Sequence, residues 1–236
     1  MPGEPERRQL TSYWPIAGLR IRITIPASAS ALELRLPDEE DLSALAALAE
    51  AGVHDSALQP FSTPWTDAEP AVRAQSVLQF HWRCLGNWSP DDWTLNLVVA
   101  RDGAVVGTQG ISGKNYGIVR EVGTGSWLGQ RHQGKGTGTA MRAAVLALAF
   151  DGLGADYALS EAFADNPASL AVSRKLGYAD DGIDRLAVRG RAAESRRLRI
   201  ARASWQAAGG ARGLGIGEVT IDGLEPCLPL FGIDLR

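Results

Sequence analysis

Ten consecutive residues in the middle of the chain carry the clearest chemical signal: Gly129-Gln130-Arg131-His132-Gln133-Gly134-Lys135-Gly136-Thr137-Gly138. Glycine removes side chains, so successive backbone N–H groups can converge on one anion. A helix opening directly behind such a loop adds the positive end of its dipole. Arg131 and Lys135 add charge at the same place. The ligand that fits is a phosphate or a pyrophosphate. A Walker A loop needs GxxxxGK followed by Ser or Thr, and here Gly136 occupies the hydroxyl's position. A dinucleotide fingerprint needs GxGxxG, and Thr139 replaces its third glycine. The acyl-CoA loop, RxxGxG, is met in full by Arg131, Gly134 and Gly136.

A second signal lies about thirty residues on. Asn166-Pro167-Ala168-Ser169 starts a helix: Asn is a good N-cap, Pro belongs at the first helical position, and Gly177 is a good stop. Other constellations are absent. The three histidines, His54, His81 and His132, have unrelated spacings, which argues against a metal site. No GxSxG elbow supports a Ser/His/Asp hydrolase. Cys84 and Cys227 form no CxxC pair.

These residues must be positioned by a folded scaffold, and the composition supplies one. The chain has 236 residues, 45% hydrophobic and 22% charged, with net charge −3. That excludes disorder over most of its length and makes the chain a poor candidate for a general nucleic-acid binder, with room left for a local basic site. No run of about 18 apolar residues spans a membrane. Met1 to Arg8 has no apolar segment behind its charges, so no signal peptide is expected and the location is read as cytoplasmic.

Alternation with period two predicts strands at 19–25 and 32–36, and Pro2, Pro5, Pro15 and Pro26 are expected to break helices over 1–30. An acidic run at 38–41 opens a helix that stops at Gly52, and a second helix covers about 67–85. Trp65, Trp82, Trp88 and Trp93 flank it. A meander follows, with strands at 95–100, 104–112 and 118–128. Then come the glycine loop, a helix, a strand at 156–163, the Asn166 helix, and strands near 183–189 and 195–203. The Gly- and Ala-rich 207–217 stretch reads as a linker before a short strand at 218–221. The division expected is an N-terminal extension over 1–30, one mixed α/β domain over 31–206, and a linker-and-strand tail over 207–236.

The order of elements, the RxxGxG loop, Asn166-Pro167-Ala168-Ser169 and Lys175-Leu176-Gly177-Tyr178 together resemble the GNAT superfamily of acyl-CoA N-acyltransferases over about 32–203. Gly125-Ser126-Trp127-Leu128-Gly129 and Pro229-Leu230-Phe231-Gly232 extend the likeness toward the branch of ribosomal-protein N-acetyltransferases and mycobacterial GNAT succinyltransferases. The resemblance implies a mixed, mostly antiparallel central sheet, splayed at the acyl-CoA site, with helices on both faces. It implies acetyl-CoA or succinyl-CoA as donor, no metal, and a primary amine on a small molecule or protein as acceptor. It also suggests a homodimer or larger homo-oligomer.

Carried over residue by residue, Ser126, Trp127 and Leu128 would run beside the pantetheine arm. Arg131, His132, Gln133, Gly134, Lys135, Gly136, Thr137 and Gly138 would hold the pyrophosphate, and Asn166 and Ser169 would support the cofactor. Many relatives place a Tyr seven residues after the Asn, as proton or hydrogen-bond donor to the departing thiolate; Ser173 stands there. Glu121 or Glu161 could serve as base, or a neutral amine could attack with none. Trp65 and its neighbours would cover the acceptor pocket, and Arg73 or Lys114 could meet a succinyl carboxylate. The alternative is a non-catalytic module that senses acyl-CoA.

Overall fold

A computed structural model describes residues 4–234, so the reading of Pro2 as a helix breaker lies outside the described residues. The described residues open with helix α1 (Glu4–Tyr13) and strands β1 (Arg20–Ile25) and β2 (Ser30–Arg35). Helices α2 (Glu39–Ala51) and α3 (Pro70–Gly86) follow. The meander is β3 (Asp92–Arg101), β4 (Ala104–Lys114), a short α4 (Tyr116–Val119) and β5 (Glu121–Leu128). Then come α5 (Thr137–Ala147), β6 (Tyr157–Phe163), α6 (Pro167–Lys175), β7 (Ala179–Val188) and β8 (Arg191–Ala201). Two short helices, α7 (Arg202–Ala207) and α8 (Gly210–Gly213), lead to β9 (Glu218–Asp222).

The strands form one sheet in the order β7-β8-β6-β5-β4-β3-β2-β1-β9. Every neighbouring pair is antiparallel except β5 and β6. That exception follows from the connection: α5 crosses over between them, which only a parallel pair requires. α2 and α3 pack on one face, where Leu45, Ala49, Val77 and Val98 form a small core with Trp65 and Trp127 against it. α5 packs on the other face inside the main core. From Ala143 to Ala149 every residue is buried, so this stretch is apolar all round. Its many alanines let strands, α6 and α8 approach closely.

The α2 boundary was written in the sequence. Asp38 caps the helix, accepting from the Asp41 backbone N–H at 3.0 Å, and Asp41 reaches back to the Asp38 N–H. Three expectations differ. The strand expected from Ile118 starts only at Glu121, because Tyr116–Val119 close a helical turn first. Residues 4–13 are helical despite Pro5, because Pro5 falls at the second position, where the missing N–H had no partner to lose. The 207–217 stretch is helical at Gly210–Gly213 and buries Ala211 and Ile216 beside Trp205. Small residues there serve close packing on α5 rather than slack. β1 and β9 pair with each other, so both terminal segments complete one edge of the sheet.

Candidate functional site

The decisive feature is a fork in the sheet. β5 and β6 pair over four rungs, from Glu121↔Tyr157 to Thr124↔Ser160. Thr124 Oγ1 closes the last one by donating to the Leu159 carbonyl at 2.9 Å. Beyond it the strands part. Gly125 to Leu128 keep their ladder with β4 but have no partner on the β6 side. A Cβ added to Gly125 would meet nothing within 4 Å, so the sheet face is open at that residue. An unpaired strand edge of this kind offers N–H and C=O groups to an extended ligand.

The free edge runs directly into the glycine loop. A tight 3-10 turn at Gln130–His132 spends two amides: His132 N–H bonds Gly129 O, and Gln133 N–H bonds Gln130 O. The Gln133 side chain is structural, donating to Val53 O at 2.6 Å and Leu128 O at 3.0 Å. From Gly134 the pattern changes. Gly134 and Gly136 adopt φ of 72° and 77°, which only glycine takes cheaply. The amides of Gly134, Lys135 and Gly136 bond no described residue, and those of Thr137, Gly138 and Thr139 form the unsatisfied first turn of α5. Six consecutive N–H groups are thus available for an anion. His132 and Gln133, expected among the pyrophosphate residues, spend their amides in this local turn instead.

The loop's charges are arranged around this opening. Arg131 Nε donates to His132 Nε2 at 2.9 Å, and Lys135 Nζ to the Arg131 carbonyl at 3.0 Å. Burial and these two cations push the His132 pKa down, which keeps its ring neutral. One contributor had no motif to mark it. Arg101, at the end of β3, donates to Lys135 O at 3.2 Å and Thr137 Oγ1 at 2.9 Å, and also to Ser28 and Ser30. It ties the Lys135 carbonyl and the Thr137 hydroxyl to the end of β3 and so braces the loop. Only its place opposite Thr137 in the fold reveals it.

At the fork, Ser126 from β5, Ser160 from β6 and Ser173 from α6 converge on one guanidinium, that of Arg142 in α5. Ser173 is fully buried and accepts from Arg142 at 2.8 Å. Asn166 caps α6, its Oδ1 accepting from the Ser169 N–H at 3.1 Å, so both residues are committed to the helix start.

Residues 31–179 match the acetyltransferase (GNAT) domain family. The chain belongs to that family. Its reaction class is acyl transfer from CoA. Solved structures of similar fold include Mycobacterium smegmatis RimJ in complex with a CoA disulfide, 21% identical at TM-score 0.66 over 83% of this chain and 97% of that one. RimL, a ribosomal alpha-N-protein acetyltransferase bound to CoA, is 20% identical at TM-score 0.58, covering 76% and 97%. A spermidine N-acetyltransferase chimera from Vibrio cholerae and hSSAT is 18% identical at TM-score 0.58, covering 74% and 98%. At these identities the likeness establishes the GNAT fold, with its forked sheet and helices on both faces.

The remaining candidates separate in space. Glu121 sits at the closed end of the β5–β6 pair, held by Arg199 at 2.7 Å. Alternation along β5 turns it onto the α2/α3 face with Trp127, away from Ser126 and Ser173. Glu161 is exposed. Of the four tryptophans, Trp65 packs at a tilt against Trp127, with ring centroids 5.8 Å apart, and belongs beside the fork. Trp93 is core, packed with Trp88 and Phe231; Trp82 is on the surface. Arg73 is spent on the Glu50 and Thr66 carbonyls. His54 Nε2 meets Thr66 Oγ1 at 2.8 Å, and Arg189 at the β7–β8 tip ion-pairs with Asp67, so these elements meet on the Trp65 side. Among the described residues no helix is long and apolar enough to cross a membrane, and no three His, Cys, Asp or Glu gather as a metal site.

Proposed function

We propose that the protein moves an acetyl or succinyl group from acyl-CoA to a primary amine by direct attack in a ternary complex. One observation carries this reading. The unpaired edge of Gly125–Leu128 leads, through the turn at Gln130–His132, to the free amides of Gly134–Thr139. An extended amide-bearing arm would lie along the first, and a pyrophosphate in the second. The thioester would then lie in the fork, beside Ser126. Arg131, Lys135 and Arg101 supply positive charge around the pyrophosphate, and Asn166 and Ser169 hold α6 in place beside the arm.

The reaction forms a bond from the amine nitrogen to the thioester carbon and breaks the C–S bond. Sulfur leaves with the electron pair, and the amine gives up one proton. Backbone N–H groups at the free edge of β5 would meet the developing oxyanion. Ser173 would donate a hydrogen bond to the sulfur, since its oxygen already accepts from Arg142. The amine enters neutral and needs no base; Glu121, engaged by Arg199, would act only through water. The acceptor would approach between Trp65, Trp127 and the Arg189–Asp67 contact.

The test is turnover. Acetyl-CoA and succinyl-CoA are each offered with spermidine, a lysine peptide and peptides with free N-termini, and thiol release is followed while product mass identifies the acyl group transferred. Amine-dependent thiol release from one donor is the expected result. CoA binding without release for any amine would leave the sensing module instead.

A further inference from the structure

Two formally charged side chains are buried among the described residues besides the histidine His81: Asp41 and Arg142. Asp41 is neutralised by Arg35 at 2.6 Å. Arg142 has no carboxylate partner among the described residues. Its Nη1 donates to Ser160 Oγ at 3.1 Å and Ser173 Oγ at 2.8 Å, and its Nη2 to Ser126 Oγ at 3.5 Å. Its Nε is buried without any partner. A guanidinium cannot shed its proton to escape burial, so the chain carries a lone cation in its interior. Burial disfavours that charge, lowering its pKa from the usual arginine value. Such an arrangement is costly unless something negative is at times nearby.

Its position says where the negative charge belongs. Thr124↔Ser160 is the last rung between β5 and β6, and Ser126 lies two residues past it on β5. Ser160 and Ser126, with Ser173, surround the fork. Each hydroxyl accepts from the guanidinium, which leaves its own O–H to donate onward. The cation is screened from direct contact and presented to the fork as polarised hydroxyls.

We propose that Arg142 is a positioning residue for the acyl transfer, orienting the Ser173 and Ser126 hydroxyls toward the sulfur of bound CoA and stabilising the thiolate that departs. The proposal rests on the reading given above. As the new N–C bond forms and the C–S bond breaks, negative charge gathers on sulfur. The amine's proton ends on sulfur or in water, and Arg142 neither gives nor takes one. A buried charge fixed in advance stabilises that state without reorganisation. The competing role, a receptor for the far carboxylate of a dicarboxylic acyl chain, would need that carboxylate to reach a guanidinium lying behind three serines.

The test uses the full chain and CoA carrying carbon-13 next to its sulfur, whose NMR shift reports thiol ionisation. In the wild-type complex the thiol pKa is expected at least about one unit below that of free CoA. In Arg142→Met it returns to the free value, while CoA still binds within about threefold and kcat falls about tenfold or more at unchanged KM. Arg142→Lys keeps the charge and recovers part of the shift, which also covers the case in which the methionine variant fails to fold. An unshifted thiol in wild type, or an equal shift in Arg142→Met, would overturn the proposal. So would an Arg142→Met variant that loses only its discrimination between succinyl-CoA and acetyl-CoA. Failure of labelled CoA to bind the wild type would refute the acyl-CoA reading itself, and this proposal with it.

Discussion

Placing a carboxylate at Gly134 would poison the anion site while sparing the fold. Gly134 has φ of +72°, and a Cβ built there meets nothing within 4 Å. The side chain therefore has room, and the cost to folding is that of a left-handed backbone, about 1 kcal/mol. For a chain of this size that lowers Tm by roughly 2–4 °C. Binding should suffer more. Two like charges about 6 Å apart at an effective dielectric of about 20 repel by about 3 kcal/mol. Salt screening at an exposed loop removes half or more of that. The remainder, about 1.5 kcal/mol, raises Kd about tenfold for each phosphate charge the carboxylate faces. Gly134→Ala is the control: it shares the backbone strain and lacks the charge, so its Kd stays within about threefold of wild type. Calorimetric titration with CoA reads the affinity, and a thermal melt reads the fold. If Gly134→Glu binds CoA like wild type, or Gly134→Ala loses as much as Gly134→Glu, the anion does not sit on these amides.

Three further perturbations separate binding from folding. Arg101→Met removes the clasp on Lys135 and Thr137 and should weaken CoA about tenfold in a titration, while Arg101→Lys, which keeps charge without the fork, recovers part of it. Asp38→Ala breaks the α2 capping box and should lower stability by about 1 kcal/mol in a denaturant melt, with CoA affinity unchanged because the cap lies at the helix end away from the loop. His81 is held neutral by burial, its pKa lowered from 6.5 to about 4. The unfolded chain takes up a proton across that window and the folded chain does not, so stability falls as pH drops from 6.5 toward 4. The loss is on the order of 3 kcal/mol, and His81→Leu should flatten that part of the stability profile.

Much of the scaffold could be read from the sequence because its signals are local. Alternation fixed β1 and β2, the acidic run fixed the start of α2, and Asn166-Pro167 fixed α6. Terminal segments were harder. A proline at the second helical position looks like a breaker unless the helix start is known, and small residues in 207–217 look like slack unless their packing partner α5 is seen. The glycine loop was legible as an anion site, but which amides remain free depends on the turn at Gln130–His132, a matter of three-dimensional bonding. Arg101 and Arg142 left no trace in the sequence. Arg101 acts on Thr137, 36 positions away, and Arg142 on Ser173, 31 positions away, and only the fold makes them neighbours. The forked strands are the same kind of feature: the pattern of β5 says nothing of where β6 leaves it.

The most direct test is a crystal structure of the protein with a non-hydrolysable acyl-CoA analogue. The expected density has the pyrophosphate on the Gly134–Thr139 amides, the pantetheine arm along Gly125–Leu128, and the sulfur in the fork beside Ser126 and Ser173. An analogue bound elsewhere, or a β5–β6 fork left empty at saturating ligand, would contradict the assignment.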